Sequence, residues 1–236
     1  MKRFYKTVTY HCNQNGLYEI HLDGKPVKTS QKNDLLVPND KLASLLMQEW
    51  AAQGEEIKAT EMPFTQICST CADTKAELRG DVARQALGYI DTDLICYRTD
   101  EPKDIAEKQR VCWDVFTDLY KKRYGLDINT TLSLISIKQN NDVHAFFAQE
   151  IEALDDLRFT VLQIVTAFTG SVMLALLFVK GDVSAGQIFE AAFVEEFHKD
   201  ELYKAAQYGR DPHIEKKQIS TRRDLSAAEK ILQACD

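Results

Sequence analysis

Phe159–Val179 reads FTVLQIVTAFTGSVMLALLFV, 21 residues without a charge. A helix of that length crosses a bilayer, and the fold class turns on whether this one does. Its first half carries Thr160, Gln163, Thr166 and Thr169, followed by Gly170 and Ser171. Asp155, Asp156 and Arg158 precede it, and Lys180 and Asp182 follow closely. Polar interruptions of this kind, among amphipathic segments on both sides, fit a helix buried on all faces by other helices. The expectation is therefore a central core helix over 155–179.

The rest of the composition agrees with a globular chain. Of 236 residues, 44% are hydrophobic and 28% charged, enough for a sizeable core. Lys and Arg number 29 against 36 Asp and Glu, a net charge of −7. That balance argues against nucleic-acid binding, which needs a basic surface to displace counterions, and against docking on anionic lipid. The opening MKRFYKTVTYHC has no apolar stretch behind its basic residues and no Arg/Ser-rich, acid-poor character, so neither a secretory nor a mitochondrial leader is read there. Cysteines at 12, 68, 71, 96, 112 and 235 lack the rhythm of a disulfide scaffold. They suit a reducing cytoplasm.

The periodicity changes along the chain. Phe4, Val8 and Tyr10 alternate with polar residues, Asn15-Gly16 signals a turn, and Leu17–Leu22 alternates again. Asp23-Gly24 signals a second hairpin, with Lys25–Thr29 and Leu35–Val37 as further short strands. Asn39 or Asp40 then caps a helix carrying Leu42, Leu45, Leu46, Met47 and Trp50, which stops at Gly54. Beyond Pro63 the pattern predicts helices near 72–90, 102–124, 141–153, 155–179, 184–208 and 212–234. The β-branched stretch 128–137 reads as extended. The fold class is α+β: a small β-rich N-terminal domain with one covering helix, 1–62, then a larger all-α domain, 63–236.

No motif completes a catalytic set. Cys68-Ser-Thr-Cys71 has the spacing of a zinc or thiol–disulfide site, but a structural zinc site needs about four ligands, and neither a second Cys pair nor a His pair accompanies it. Packing at the entry to a core helix is the simpler reading. Glu195-x-x-His198 is half of a di-iron carboxylate motif without the other half; the histidines at 11, 21, 144 and 213 show no ligand spacing. A phosphate loop and a nucleophile elbow are both missing. The alternative to a binding protein is a metal- or thiol-dependent enzyme using Cys68 and Cys71, or Glu195 and His198.

Several strings in one order carry a resemblance. They are Leu22-Asp-Gly-Lys-Pro-Val-Lys-Thr29, Glu49-Trp50-x-x-Gln53-Gly54-Glu55-Glu56-Ile57, Met62-Pro63-x-Thr65 and Asp91-Thr-Asp-Leu-Ile-Cys-Tyr-Arg98. Trp113-Asp114, Arg123-Tyr124-Gly125, Thr169-Gly170-Ser171 and Glu201-x-Tyr203-x-x-x-x-Tyr208-Gly209 follow. From about residue 3 to 233 the chain resembles the assembly chaperones of mitochondria and alpha-proteobacteria that bind the alpha subunit of the F-type ATP synthase head.

That resemblance implies a β-containing N-terminal domain, an all-helical C-terminal domain, no enzymatic activity and no cofactor. The implied partner is the alpha subunit of the F-type ATP synthase, with no nucleic acid, no membrane insertion and a monomer when free. Trp50 matches the Trp of the family's Glu-Trp motif, and Glu201 the Glu of its late Glu-x-Tyr/Phe motif. Glu196 and Tyr203, on the same acidic and aromatic stretch, complete the partner-binding candidates. Trp50 also reads as a core residue beside Leu42, Leu46 and Met47. Lys204 and Tyr208 stand where the family usually has Gln and Trp, and cysteines at both 68 and 71 are not usual for it.

Overall fold

A computed structural model describes residues 1–74, 76–203, 209 and 211–235. The N-terminal part is a four-stranded antiparallel sheet: β1 (Val8–Cys12), β2 (Tyr18–Leu22), β3 (Lys25–Pro26) and β4 (Leu36–Val37). β2 is central and pairs with the other three. Asp23 and Gly24 both take positive φ, 48° and 80°, as a two-residue hairpin loop of the right twist requires. Asp23 further accepts from the Lys6 and Thr7 backbone N–H groups.

Period-2 alternation sorts the sheet's faces. Ile20 and Leu22 of β2 are buried, and opposite them Tyr10 and Val8 of β1 pack against the core. Thr9 and His11 face outward beside His21 and Glu19. Phe4 departs from the expected alternation: it is exposed, while its neighbour Tyr5 is buried and donates to the Trp50 carbonyl at 2.7 Å. The phenol can end in a hydrogen bond inside the core, which decides between the two rings.

α1 (Asp40–Ala51) covers the sheet. Asn39 is its cap, accepting from Leu42 N at 2.9 Å and donating to the Ala234 carbonyl at the far end of the chain. α2 runs from Pro63 to Asp73 and α3 from Arg79 to Leu87, so the helix expected near 72–90 is two helices, and the first begins nine residues earlier. What starts α2 is not local. Both oxygens of Glu49, on α1, accept the Phe64 and Thr65 backbone N–H groups at 2.8 Å, which satisfies orphan donors of the first turn.

α4 (Lys103–Tyr124) ends at Gly125 in the left-handed conformation. Residues 128–137 form no helix, as expected; Thr131 bridges to Tyr97, and Leu132, Leu134 and Ile135 point into solvent. α5 covers Asn141–Ala153. The uncharged stretch is not one helix over 155–179 but two, α6 (Asp156–Thr169) and α7 (Val172–Val179). Gly170, at φ 69°, closes α6, and the Ser171 hydroxyl oxygen accepts from Leu174 N at 2.9 Å to start α7.

Asp93, with no exposed surface, locks that break. It accepts from the Ser171 hydroxyl at 2.6 Å and from the backbone N–H of Met173 at 3.0 Å. Burial pushes its carboxyl up to about 7 against these hydrogen bonds. All eight residues of α7 are buried, and among the described residues no helix is long and apolar enough to cross a membrane.

α8 (Ala185–Leu202) and α9 (Pro212–Ala234) finish the chain. Ser184 and Gln187 form a reciprocal capping box at the start of α8. The helix expected over 184–208 ends at Leu202, and its remainder, Lys204 and Tyr208 included, lies outside the described residues. α9 reaches back to α1 and α2, and one continuous apolar core joins the sheet, α1 and the helices.

Candidate partner-binding surface

The seam between α4 and α8 is polar at its ends and aromatic in its middle. Trp113, 1% exposed, donates its indole N–H to the Ala191 carbonyl at 2.9 Å. Phe189, Phe193 and Phe197 run along α8 with ring centroids 4.9 and 6.2 Å apart in sequence. Gln109 accepts from Thr99 N at 2.8 Å and donates to Glu195 at 2.9 Å. His198 lies 3.5 Å from Asp104. Glu195 and His198 are thus each taken up by α4.

Glu201 sits at the end of this seam. Its side chain is 70% exposed and forms an ion pair with Lys108 of α4. Tyr203 caps the helix and is exposed, as is Leu202 beside it. Val111 and Val115, one turn apart on α4, are also exposed. A groove of about 340 Å³ runs between the helices from Lys108 and Val111 to Val194, Phe197 and Glu201. A second, of about 420 Å³, flanks the other side of α8 against Ile219 and Arg222 of α9. Glu190 and Phe197 border both grooves. Exposed valine, leucine and tyrosine beside such grooves, with charges at the rim, is the composition of an interaction surface.

The four candidates from the sequence do not converge. Glu201 and Tyr203 lie together, and Glu196 is half-buried on the same helix. Trp50 is elsewhere. It is half-buried on α1, edge-on to Tyr5 at 5.7 Å, and lines a cleft of about 840 Å³ with Ile57, Met62, Ile67 and Phe168. No residue of α8 lines that cleft. The Glu-Trp string has a structural job through Glu49, the cap of α2, whose carboxyl burial pushes upward.

Cys68 and Cys71 lie inside α2 rather than at a helix entry, both as free thiols. Burial raises both thiols, the reverse of the acidic thiol that exchange chemistry uses. Sequence reasoning missed the exposed apolar residues outside α8. For Val111 and Val115 the signal was present, since two valines at i, i+4 stand on the side of α4 opposite its buried Ile105, Trp113 and Phe116. Leu132, Leu134 and Ile135 carried no such signal, because an alternating apolar stretch reads as a buried strand.

Comparison with known proteins gives the chain its family. Residues 2–121, half of the chain, match the profile of the ATP12 chaperone protein family. The chain belongs to the ATP12 chaperone family. This is a family of chaperones, not of enzymes. Mitochondrial protein ATP12 of Saccharomyces cerevisiae is 28% identical over 113 residues. That match takes in 40% of this chain and 35% of the yeast protein, about a third of its length. The crystal structure of Atp12 from Paracoccus denitrificans is similar over 100% of this chain and 98% of its own, with a TM-score of 0.84 and 26% identity. The Atu1473 protein of Agrobacterium tumefaciens is similar over 100% of this chain and 86% of its own, at a TM-score of 0.87 and 30% identity.

Proposed function

We propose that this chain is an assembly chaperone for the F-type ATP synthase, holding the unassembled alpha subunit until the beta subunit replaces it. One observation carries the reading: on a member of the ATP12 chaperone family, Val111, Leu202 and Tyr203 stand exposed around the Glu201–Lys108 ion pair. A subunit of an obligate ring exposes apolar interface before assembly, and such a patch invites aggregation. A protein that covers it lowers the free population by mass action. Release then needs only a partner that binds better, so no hydrolysis is required.

In this reading Glu201, Tyr203 and Glu196 belong to the client surface. Trp50 is a separate contact at the cleft between α1 and α2. The free protein is a monomer in a bacterial cytoplasm, and residues 1–62 and 63–236 are its two domains. Co-expression with the alpha subunit tests the proposal. The expected result is a soluble complex that forms without ATP and dissociates when the beta subunit is added. An alpha subunit whose solubility does not change would overturn it.

A further inference from the structure

Resting on the client surface proposed for α8, we infer that the part of the alpha subunit it holds is a basic amphipathic helix, laid in the groove between α4 and α8. On α8 that groove is lined by Glu190, Val194, Phe197 and Glu201. They stand four, three and four residues apart, which is one face of the helix. The row is apolar in its middle and acidic at both ends, and its ends are about 16 Å apart along the helix axis. On α4 the groove is lined by Glu107, Lys108, Val111 and Cys112. Val111 and, one turn further on, Val115 are each more than half exposed.

The walls select a helix over an extended segment. α4 and α8 spend their backbone N–H and carbonyl groups within themselves. An extended segment pressed between them finds no backbone partner, and its own polar groups are left unmet. A helix brings its hydrogen bonds with it and offers only side chains. The walls also select positive charge. The stretches that flank the groove, Lys103–Val115 and Glu190–Leu202, carry eight Asp and Glu against four Lys and Arg. Glu107, Glu190 and Glu201 each meet a cation already, Arg110, Arg222 and Lys108 in that order. Solvated pairs of this kind contribute little, so an arriving Lys or Arg shares the carboxylate at small cost, while an acidic segment is repelled by the surplus. The occupant that answers the α8 row is a helix of about three turns. Its groove face has two aliphatic residues in the middle and a Lys or Arg one turn beyond each.

The test uses a fluorescein-labelled, lactam-bridged peptide of about 16 residues containing Arg-x-x-x-Leu-x-x-Leu-x-x-x-Arg, with Ala and Gln at x. Full-length protein is titrated into it and anisotropy is followed. Saturable binding is expected, weakened about tenfold by Glu201→Lys and by Glu190→Lys, and unchanged by Glu152→Lys at an exposed position of α5. Val111→Arg fills the groove and serves if a glutamate variant fails to fold. Glu in place of both Arg residues, or Pro at the centre of the peptide, lowers the affinity by about tenfold or more. Capture of the alpha subunit without binding of the peptide overturns the helical occupant and leaves the proposed function standing. Peptide binding without capture of the alpha subunit does the reverse. Equal binding of the acidic or proline-broken peptide, or self-association of the protein that the peptide disperses, also overturns the inference, the latter by making a second copy the occupant.

Discussion

The α6–α7 break and the end of α8 both hold a carboxylate, and they use it in opposite ways. Asp93 is sealed from solvent and spends its oxygens on a hydroxyl and backbone N–H groups. Glu201 is largely solvated and meets one lysine. A buried carboxylate with donors fixed around it specifies geometry, since losing it strands those donors. An exposed ion pair adds little to stability, which leaves its charge available for a partner. Burial thus separates the residue that builds the fold from the one proposed for the client surface.

The largest effect expected from testing this contrast is at Asp93. Asp93→Ala strands the Ser171 hydroxyl and the Met173 N–H and should cost about 3 kcal/mol in urea unfolding. A loss near that of a surface substitution would break the comparison. Asp93→Asn sharpens it through pH. The folded carboxyl titrates at about 7, raised from 3.8, so the folded state keeps a proton that the unfolded chain has released. The stability tied to this group is complete below about 3.8 and is lost as pH rises through about 7. The asparagine variant lacks that loss, so its stability relative to the parent should improve between pH 5 and pH 8. An offset constant with pH would show that Asp93 is ionised throughout.

Gly170→Ala comes next. A side chain at φ 69° is strained by about 1–2 kcal/mol, although a Cβ there meets nothing within 4 Å. Thermal unfolding should show this loss with no change in client capture. Glu201→Lys is smallest in stability, within about 0.5 kcal/mol, yet it sets two cations together at the groove and should weaken capture of the alpha subunit roughly tenfold. Unchanged affinity would remove Glu201 from the client surface.

What could be read in the sequence follows how local each cause is. The hairpins were legible because period-2 alternation and Asp23-Gly24 state them within a few residues. So were α4 and α9, each bounded by its own cap, proline or glycine. The start of α2 was not, because Glu49 supplies its cap from another helix. Nor was the α6–α7 break: hydropathy is high on both sides of Gly170, and Asp93 reaches Ser171 from 78 residues upstream. Glu201 came from a resemblance between strings, and Glu196 and Tyr203 from the acidic and aromatic stretch around it.

The bend at Gly170 also bears on the order of folding. It lets the most apolar part of the chain pack on its own immediate neighbour, α6 against α7. Contacts of short sequence separation close with little entropy loss and form early. The segment most prone to aggregate as a nascent chain is therefore among the first that can be sheltered. A protein proposed to protect another's apolar surface begins by folding away its own.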